Sequence, residues 1–388
     1  MGSGQREKVQ IAIIGGGILG TALAYHLTKD HGVGTALFER GTLAGGASGK
    51  AAGILSAQCW NSWDIEVIEE TRKEYKRLGE PESETMYQEV GGITGASTPE
   101  NVARLKKQYA RVCDANVEGR MIGRSDLNTL YRCGSFEDVS EALYTPHDAV
   151  VQPTDLTLLY ARLATENGAF VESEVGPPRI RRDGERWMVE AGGKAVIADQ
   201  IVIACGAWAK RVMEDLGHPI PLAPYLTRAC LLKASAEPLF PFFHDSELDV
   251  YMRPFPRTDV LLGDGTELKE VDPDHMNPSD DTTFLENISA FLSHRFPRWA
   301  EAPVESSWWG VCSSTPDRRP LIGPVPGEKR LIVAAGFNGF GVMRAGAVAH
   351  RLSDAMLSGN WEKLEPCDPA RFPPDYPQFD PQPGFTLD

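Results

Sequence analysis

Near its start the chain reads VQIAIIG (residues 9–15), an apolar run of the kind covered on both faces in a parallel sheet. ILGTALAYHLTKD follows with apolar positions at helical spacing, and GTALFER then returns to a strand. The same plan of strand, glycine-rich turn and helix recurs in AVIADQIVIACGAWAKRVMEDLG (195–217) and in RLIVAAGFNGFGVMRAGAVAHRLSDAML (330–357). Strands alternating with helices predict an α/β fold around a parallel sheet. LDVYMRPFPRTDVLLGDGTE (248–267) reads differently, as two strands joined across a turn. At 388 residues the chain exceeds a common single-domain size, so two domains are expected.

The glycines after the first strand carry chemistry. Gly15, Gly17 and Gly20 form GxGxxG between strand and helix. In such a turn the first glycine bends the chain, the second lets backbone approach a pyrophosphate, and the third packs helix closely on strand. The anion then sits at the helix N-terminus, where unpaired N–H groups and the dipole favour it. Glu39 ends the second strand, placed to accept hydrogen bonds from ribose hydroxyls and so to favour an unphosphorylated ribose. GxGxxG alone would also suit a packing turn, but strand, glycines, helix, strand and acid in order predict a dinucleotide site. Beyond Glu39, RGTLAGGASGKAAGILSA (40–57) is rich in small residues. It is either a flexible loop or a path for backbone beside a flat ring system. Three strand ends, each followed by a helix N-terminus, favour the ring and suggest a long cofactor along one sheet edge.

Composition narrows the partners. Acidic side chains number 54 against 39 basic, a net charge of −15, which disfavours nucleic acid and anionic membrane surfaces. The most apolar stretch, 11–27, is interrupted by glycines and a histidine, and no signal-peptide pattern precedes it. A cytoplasmic protein is expected, with a peripheral membrane contact as the alternative. Seven cysteines (59, 113, 133, 205, 230, 312 and 367) lie singly with no CxxC, which points to a reducing compartment and against a disulfide framework or a zinc site, so no metal is expected. Residues 1–7 read as a leader and the proline-rich 366–388 as an extended tail.

Together GGGILGTALAYHL, FERGTLAGGASGKAAGIL, VIACGAWA, TPDRRPLIGPVPG and AAGFNGFGV resemble the FAD-dependent D-amino acid oxidase superfamily, in its sarcosine oxidase, glycine oxidase and proline dehydrogenase branch. The resemblance implies a Rossmann-like FAD domain of the glutathione reductase type, assembled from 1–85, 146–220 and 311–388. An antiparallel-sheet α+β substrate domain from 86–145 and 221–310 would roof the flavin. It implies non-covalently bound FAD and a hydride transfer to flavin N5 from a small amine or amino acid, such as glycine, sarcosine, proline or a D-amino acid. Electrons would pass on to oxygen, a quinone or an electron carrier, in a homo- or hetero-oligomer. Carried over by motif, Gly15, Gly17, Ile18, Leu19, Gly20, Glu39 and Arg40 hold the ADP half. Ala47, Ser48, Lys50, Ala51, Ala52, Gly53 and Ile54 pass the ribityl chain and ring, while Val175, Gly206 and Trp208 flank adenosine and pyrophosphate. Gly336, Phe337, Asn338, Gly339, Phe340, Gly341, Val342 and Met343 bring a helix N-terminus to the flavin pyrimidine ring, a favourable end for negative charge.

The substrate side departs from the family pattern. Hydride transfer asks the protein chiefly to position the substrate and exclude water. Tyr251 and Arg253 alternate on one strand and so share a face. The family places a tyrosine in the pocket at the position of Tyr251, a core aromatic being the other reading, and the alternative for Arg253 is an ion pair. Where glycine oxidase-like members clamp a carboxylate with arginine, and sarcosine-oxidising members carry tyrosine, this chain has Cys312. The flavin-tethering cysteine of monomeric sarcosine oxidases falls at Gly310. Cys312 therefore reads as a small pocket-lining thiol, with a flavin thioether or a catalytic thiolate as alternatives. Met343 replaces a carboxylate-holding lysine, and Arg344 follows it. Either Arg253 or Arg344 takes over that task, or the substrate is not a simple amino acid. Leu261 falls roughly where a lysine activates oxygen, which favours a dehydrogenase. Arg318 and Arg319 read as structural charges. Two alternatives stay open. One is a hydroxy acid or glycerol 3-phosphate dehydrogenase, which needs a base, with His147 and His244 as candidates that otherwise read as surface residues. The other is the flavin subunit of a hetero-oligomeric dehydrogenase.

Overall fold

The computed structural model describes residues 7–381 apart from 60, 235–239, 257–258, 264–265, 277–281 and 374. The expected leader, save Glu7, and the end of the expected tail lie outside these residues. Glu7–Ile14 is the first strand and pairs in parallel with Lys194–Ile203 on one side and Thr35–Phe38 on the other. Phe170–Glu172 extends the sheet beyond Thr35–Phe38, and Glu328–Ala335 pairs in parallel with Lys194–Ile203. Antiparallel strands Arg179–Asp183, Arg186–Ala191 and Leu321–Val325 complete it. The carboxyl ends of Glu7–Ile14, Lys194–Ile203 and Glu328–Ala335 therefore lie side by side. Each leads into helical structure, at Ile18–Lys29, at Gly206–Trp208 with Ala209–Asp215, and at Gly341–Ser358. Ile18–Lys29 is buried over almost its whole length between Pro153–Glu166 and Gly341–Ser358. That is why it shows no polar face in its sequence.

The second sheet runs in the order Val304–Ser314, Ala223–Leu232, Asp259–Gly263, Val250–Phe255, Phe242–Asp245, Gly92–Ala96, Glu141–Thr145, Arg120–Ile122. The hairpin read from 248–267 is present as Val250–Phe255 against Asp259–Gly263. One junction is parallel rather than antiparallel, Phe242–Asp245 with Gly92–Ala96, where strands from two separate stretches of chain meet. Helix Thr282–Arg295 sends Phe284, Ile288, Phe291 and Leu292 into this sheet's core beside Phe136, Phe243, Phe296 and Trp299. Val304–Ser314 crosses the boundary expected at 311.

A small sheet of Ile54–Leu55, Ala149–Val151 and Tyr87–Glu89 lies at the seam. There the buried Asp148 accepts from Ser56 Oγ at 2.6 Å, Thr145 Oγ1 at 2.5 Å and Ala57 N–H at 3.0 Å. Burial pushes its carboxyl up to about 6 despite these donors. The expected tail starts later than its composition suggests, because Glu362–Cys367 and Pro369–Arg371 form 3₁₀ turns with Cys367 buried.

Candidate active site

A cavity of about 1140 Å3 lies between the two large sheets. Its floor is the edge of the parallel sheet, where Gly15, Gly17, Ile18, Leu19, Glu39 and Arg40 line it. Gly15 has φ +120°, and a Cβ there would stand 2.5 Å from the Ala204 carbonyl oxygen. A Cβ on Gly20 would stand 2.0 Å from the Gly15 oxygen, so Gly20 serves helix packing and does not itself line the cavity. Glu39 accepts from Gly16 N–H at 2.7 Å and Gly41 N–H at 2.8 Å, which fixes its carboxylate at the rim. Ile18 N–H, a free donor of the first helical turn, is taken by Ser48 Oγ at 2.9 Å. This ties the small-residue segment to the glycine turn, and Ala47, Ser48 and Lys50 to Ile54 follow along the wall. Gly206, Trp208 and Gly336 to Met343 continue the lining. Val175 does not reach it. Its side chain packs against Gly192, and Pro177, Pro178 and Ile180 occupy the expected place.

The roof comes from the second sheet. Tyr225 faces Cys312 and His244 faces Tyr251 across neighbouring strands, and all four line the cavity. Burial pushes the Cys312 thiol up to about 11 against hydrogen bonds from Thr227 and Tyr225, so near neutral pH it is a protonated thiol. Gly310 lies against Lys50, where an added Cβ would approach the lysine Cβ to 3.0 Å. His244 Nε2 is 3.1 Å from Asp249 Oδ1. Arg228, 7% exposed, also lines the roof and pairs with Glu267 at 2.5 Å. A segment of the roof reaches back to the floor. Asp274 Oδ1 accepts from Arg40 at 2.7 Å and from Trp208 Nε1 at 2.8 Å, and the Arg40 guanidinium lies 4.3 Å over the Trp208 ring.

A family model described as FAD dependent oxidoreductase (DAO) matches residues 10–355. The chain belongs to this family. Among curated relatives, rat dimethylglycine dehydrogenase is 28% identical over 95% of this chain and human sarcosine dehydrogenase 27% over 92%. The chain spans less than half of each of these, 45% and 40%. Glycine oxidase from Geobacillus kaustophilus is 26% identical over 87% of this chain and 90% of its own. In fold, L-proline dehydrogenase from P. horikoshii superposes with a TM-score of 0.86 at 22% identity, covering 95% of this chain and 98% of that one.

As a DAO-family member the chain takes FAD, and its cavity suits one. The volume exceeds the roughly 300–1,000 Å3 of a single small-ligand pocket. The main-chain turn leaves no space for a Cβ at Gly15, Gly16 or Gly20. Asn338 Nδ2 in the wall is buried without a partner among the described residues, while its Oδ1 accepts from Thr315 N–H at 3.0 Å. Gly15 to Leu19 would hold the diphosphate, Glu39 the ribose, and Lys50 to Ile54 with Gly336 to Met343 the ring.

The two arginines expected as carboxylate anchors are engaged elsewhere. Arg344, 2% exposed, pairs with Asp64 at 2.8 Å and donates to the Phe337 carbonyl at 3.2 Å. Arg253, 1% exposed, does not line the cavity. It donates to the Pro254 carbonyl at 3.1 Å and lies 5.0 Å over Phe255, and burial lowers it to about 9. Met343 does line the cavity, and Arg318 and Arg319 do not. His147 is exposed between Glu89 and Glu118, whereas His244 is in the roof, not at the surface. Sequence reasoning missed Tyr225, Thr227 and Arg228 altogether. Their strand, APYLTRACLL, is apolar enough to read as core, and only its pairing with the strand of Cys312 turns it toward the cavity.

Proposed function

We propose that the protein is an FAD-dependent oxidoreductase that oxidises a small amine or amino acid of the glycine, sarcosine, dimethylglycine or proline kind. The observation that carries this reading is the continuity of one cavity from the glycine turn and Glu39 to the roof residues Tyr225, Tyr251 and Cys312. Bound FAD supplies the two-electron acceptor. The protein's own residues then hold the reacting carbon over the floor and keep water out. Tyr251 and Tyr225 offer hydroxyls to orient the substrate, and the neutral Cys312 thiol shapes the wall without acting as a nucleophile. Arg228 is the proposed partner for a substrate carboxylate, since it lines the cavity while Arg253 does not and Arg344 is committed to Asp64. Glu267, about one-third exposed, can move aside as a carboxylate replaces it.

The pathway out of the flavin is proposed to be a carrier or quinone rather than oxygen. Leu261, where a lysine would favour oxygen, is buried hydrocarbon. A hydroxy acid substrate is the second reading. It is favoured by His244, a roof imidazole held by Asp249 that could take a hydroxyl proton.

The test is anaerobic mixing of the FAD-loaded protein with a panel. The panel holds sarcosine, dimethylglycine, glycine, proline, a D-amino acid, amines lacking a carboxylate, and hydroxy acids. Rapid bleaching of oxidised flavin absorbance by the carboxylated amines is expected, with slow reoxidation by air and fast reoxidation by an artificial dye. Bleaching by hydroxy acids alone would replace the first reading by the second. Bleaching only by amines without a carboxylate would remove Arg228 from its role.

A further inference from the structure

We infer that His26, Asp30 and His350 form a binding site for one divalent first-row transition-metal ion, Zn2+ being the probe, on the helical side of the FAD-binding half and away from the cavity. His26 and Asp30 are one turn apart on helix Ile18–Lys29 and so share a face. His350 comes from Gly341–Ser358, which packs against that helix, and the two imidazoles lie 5.0 Å apart. One ligand atom from each of the three residues falls within 4.8 Å of the others, the one such group among the described residues. None of the three lines the cavity. His26 stands about 12 Å along its helix from Ile18 at the floor.

A second observation points the same way. The other nitrogen of His26, Nε2, is held by Glu74 Oε1 at 2.8 Å, and the Tyr160 hydroxyl donates to that same oxygen at 2.7 Å. A carboxylate on the far nitrogen is the usual support of a metal-bound imidazole, because it fixes ring orientation and tautomer and raises ligand basicity. His26 is 4% exposed, so its Nδ1 is locked toward Asp30. Asp30 and His350 reach solvent, which leaves an entry path and room for water in the remaining coordination positions. Asp354, 3.9 Å from His350 Nε2 and 3.1 Å from His31 Nε2, can orient the outer imidazole.

Two imidazoles with one carboxylate suit Zn2+, Ni2+ or Co2+ better than Mg2+ or Ca2+, which prefer oxygen ligands. His26 Nδ1 and Asp30 Oδ2 are now 2.7 Å apart, a hydrogen bond. Two donors about 2.0–2.1 Å from one tetrahedral ion stand roughly 3.3 Å apart. The accessible Asp30 carboxylate must therefore withdraw by about half an ångström as the ion replaces the proton on Nδ1. That proton leaves to solvent. The ion would clamp two helices whose first turns, at Ile18 and at Gly341 to Met343, line the FAD cavity.

The experiment is calorimetric titration of ZnCl2 into tag-free, chelator-treated FAD-loaded protein near neutral pH, with unfolding temperatures recorded alongside. Wild type is expected to bind one equivalent and to unfold at higher temperature with Zn2+, and to give no such response to Mg2+. His350→Ala and Asp30→Asn should weaken binding at least tenfold and abolish the thermal shift, while flavin content and metal-free unfolding temperature stay at wild-type values. No Zn2+ binding by wild type, or undiminished binding by both variants, overturns the inference.

Discussion

A Cβ on Gly20 would strike the Gly15 oxygen at 2.0 Å, whereas Cys312 in the roof packs beside the hydroxyls of Thr227 and Tyr225. The floor works through main chain, with a turn at positive φ, a helix N–H capped by Ser48 and a carboxylate pinned by two backbone donors. Few residues satisfy such geometry, so it is written into the glycine spacing. The roof works through side chains from several strands, Tyr225, His244, Tyr251 and Cys312, which need only fill a wall and present a polar edge. A wall of that kind accepts many residues. One scaffold can then serve different substrates, and a family assignment says less about the roof than about the floor.

The largest test of this contrast lies under the floor. Asp64→Ala leaves the Arg344 guanidinium buried without its partner and should cost about 3–5 kcal/mol, read by urea unfolding. The double variant Asp64→Ala/Arg344→Met should recover part of that loss. If Arg344 served the substrate instead, Asp64→Ala would fold with normal stability and alter substrate affinity.

Next comes the seam, where Asp148 holds its proton to about pH 6 in the folded protein against 3.8 ordinarily. Below pH 3.8 the group is protonated in both states. As pH rises toward 6 only the unfolded chain releases the proton, so stability contributed at low pH is lost across that window, roughly 3 kcal/mol, and stays lost above it. Asp148→Asn should flatten that segment of the pH profile of unfolding free energy. An unchanged profile would show that the seam is wetter than its burial indicates.

Smaller still is the roof. Tyr251→Phe should leave flavin content unaltered and lower kcat/KM by about tenfold, the size of one lost hydrogen bond of about 1.4 kcal/mol. Flavin loss in this variant would break the division between floor and roof. The least effect is expected from Cys312→Ser. Acid precipitation should release flavin into the supernatant from wild type and variant alike, and wild-type alkylation by iodoacetamide at Cys312 should be slow near neutral pH and quicken toward pH 11. Flavin retained on the precipitated wild-type chain would restore the thioether reading.

The strands, the glycine turns and Glu39 were legible because each depends on neighbours in the chain or on a fixed strand–turn–helix order. Cys312 was legible as a thiol in the wall, but its hydroxyl partners were not. Arg344 looked available because its partner Asp64 lies far from it in sequence. Arg253 differs, since its contacts, Pro254 and Phe255, are its neighbours in the chain, and only the packing of its strand turns it away from the cavity. His244 was underrated because the strand Phe242–Asp245 is short, and its parallel pairing with Gly92–Ala96 brings together separate stretches of chain.

The amino-acid sequence by itself determined the glycine turn, the order of strands and helices around it, and the small-residue segment that lines the cavity. These follow from backbone dihedrals, steric fit and periodicity, which act over a few residues. Only the tertiary structure decided which cations face the cavity, which are spent on buried carboxylates, and that Arg228 and His244 stand in the roof. Those outcomes depend on which side chains meet across hundreds of residues, and electrostatic pairing and desolvation are set by that meeting.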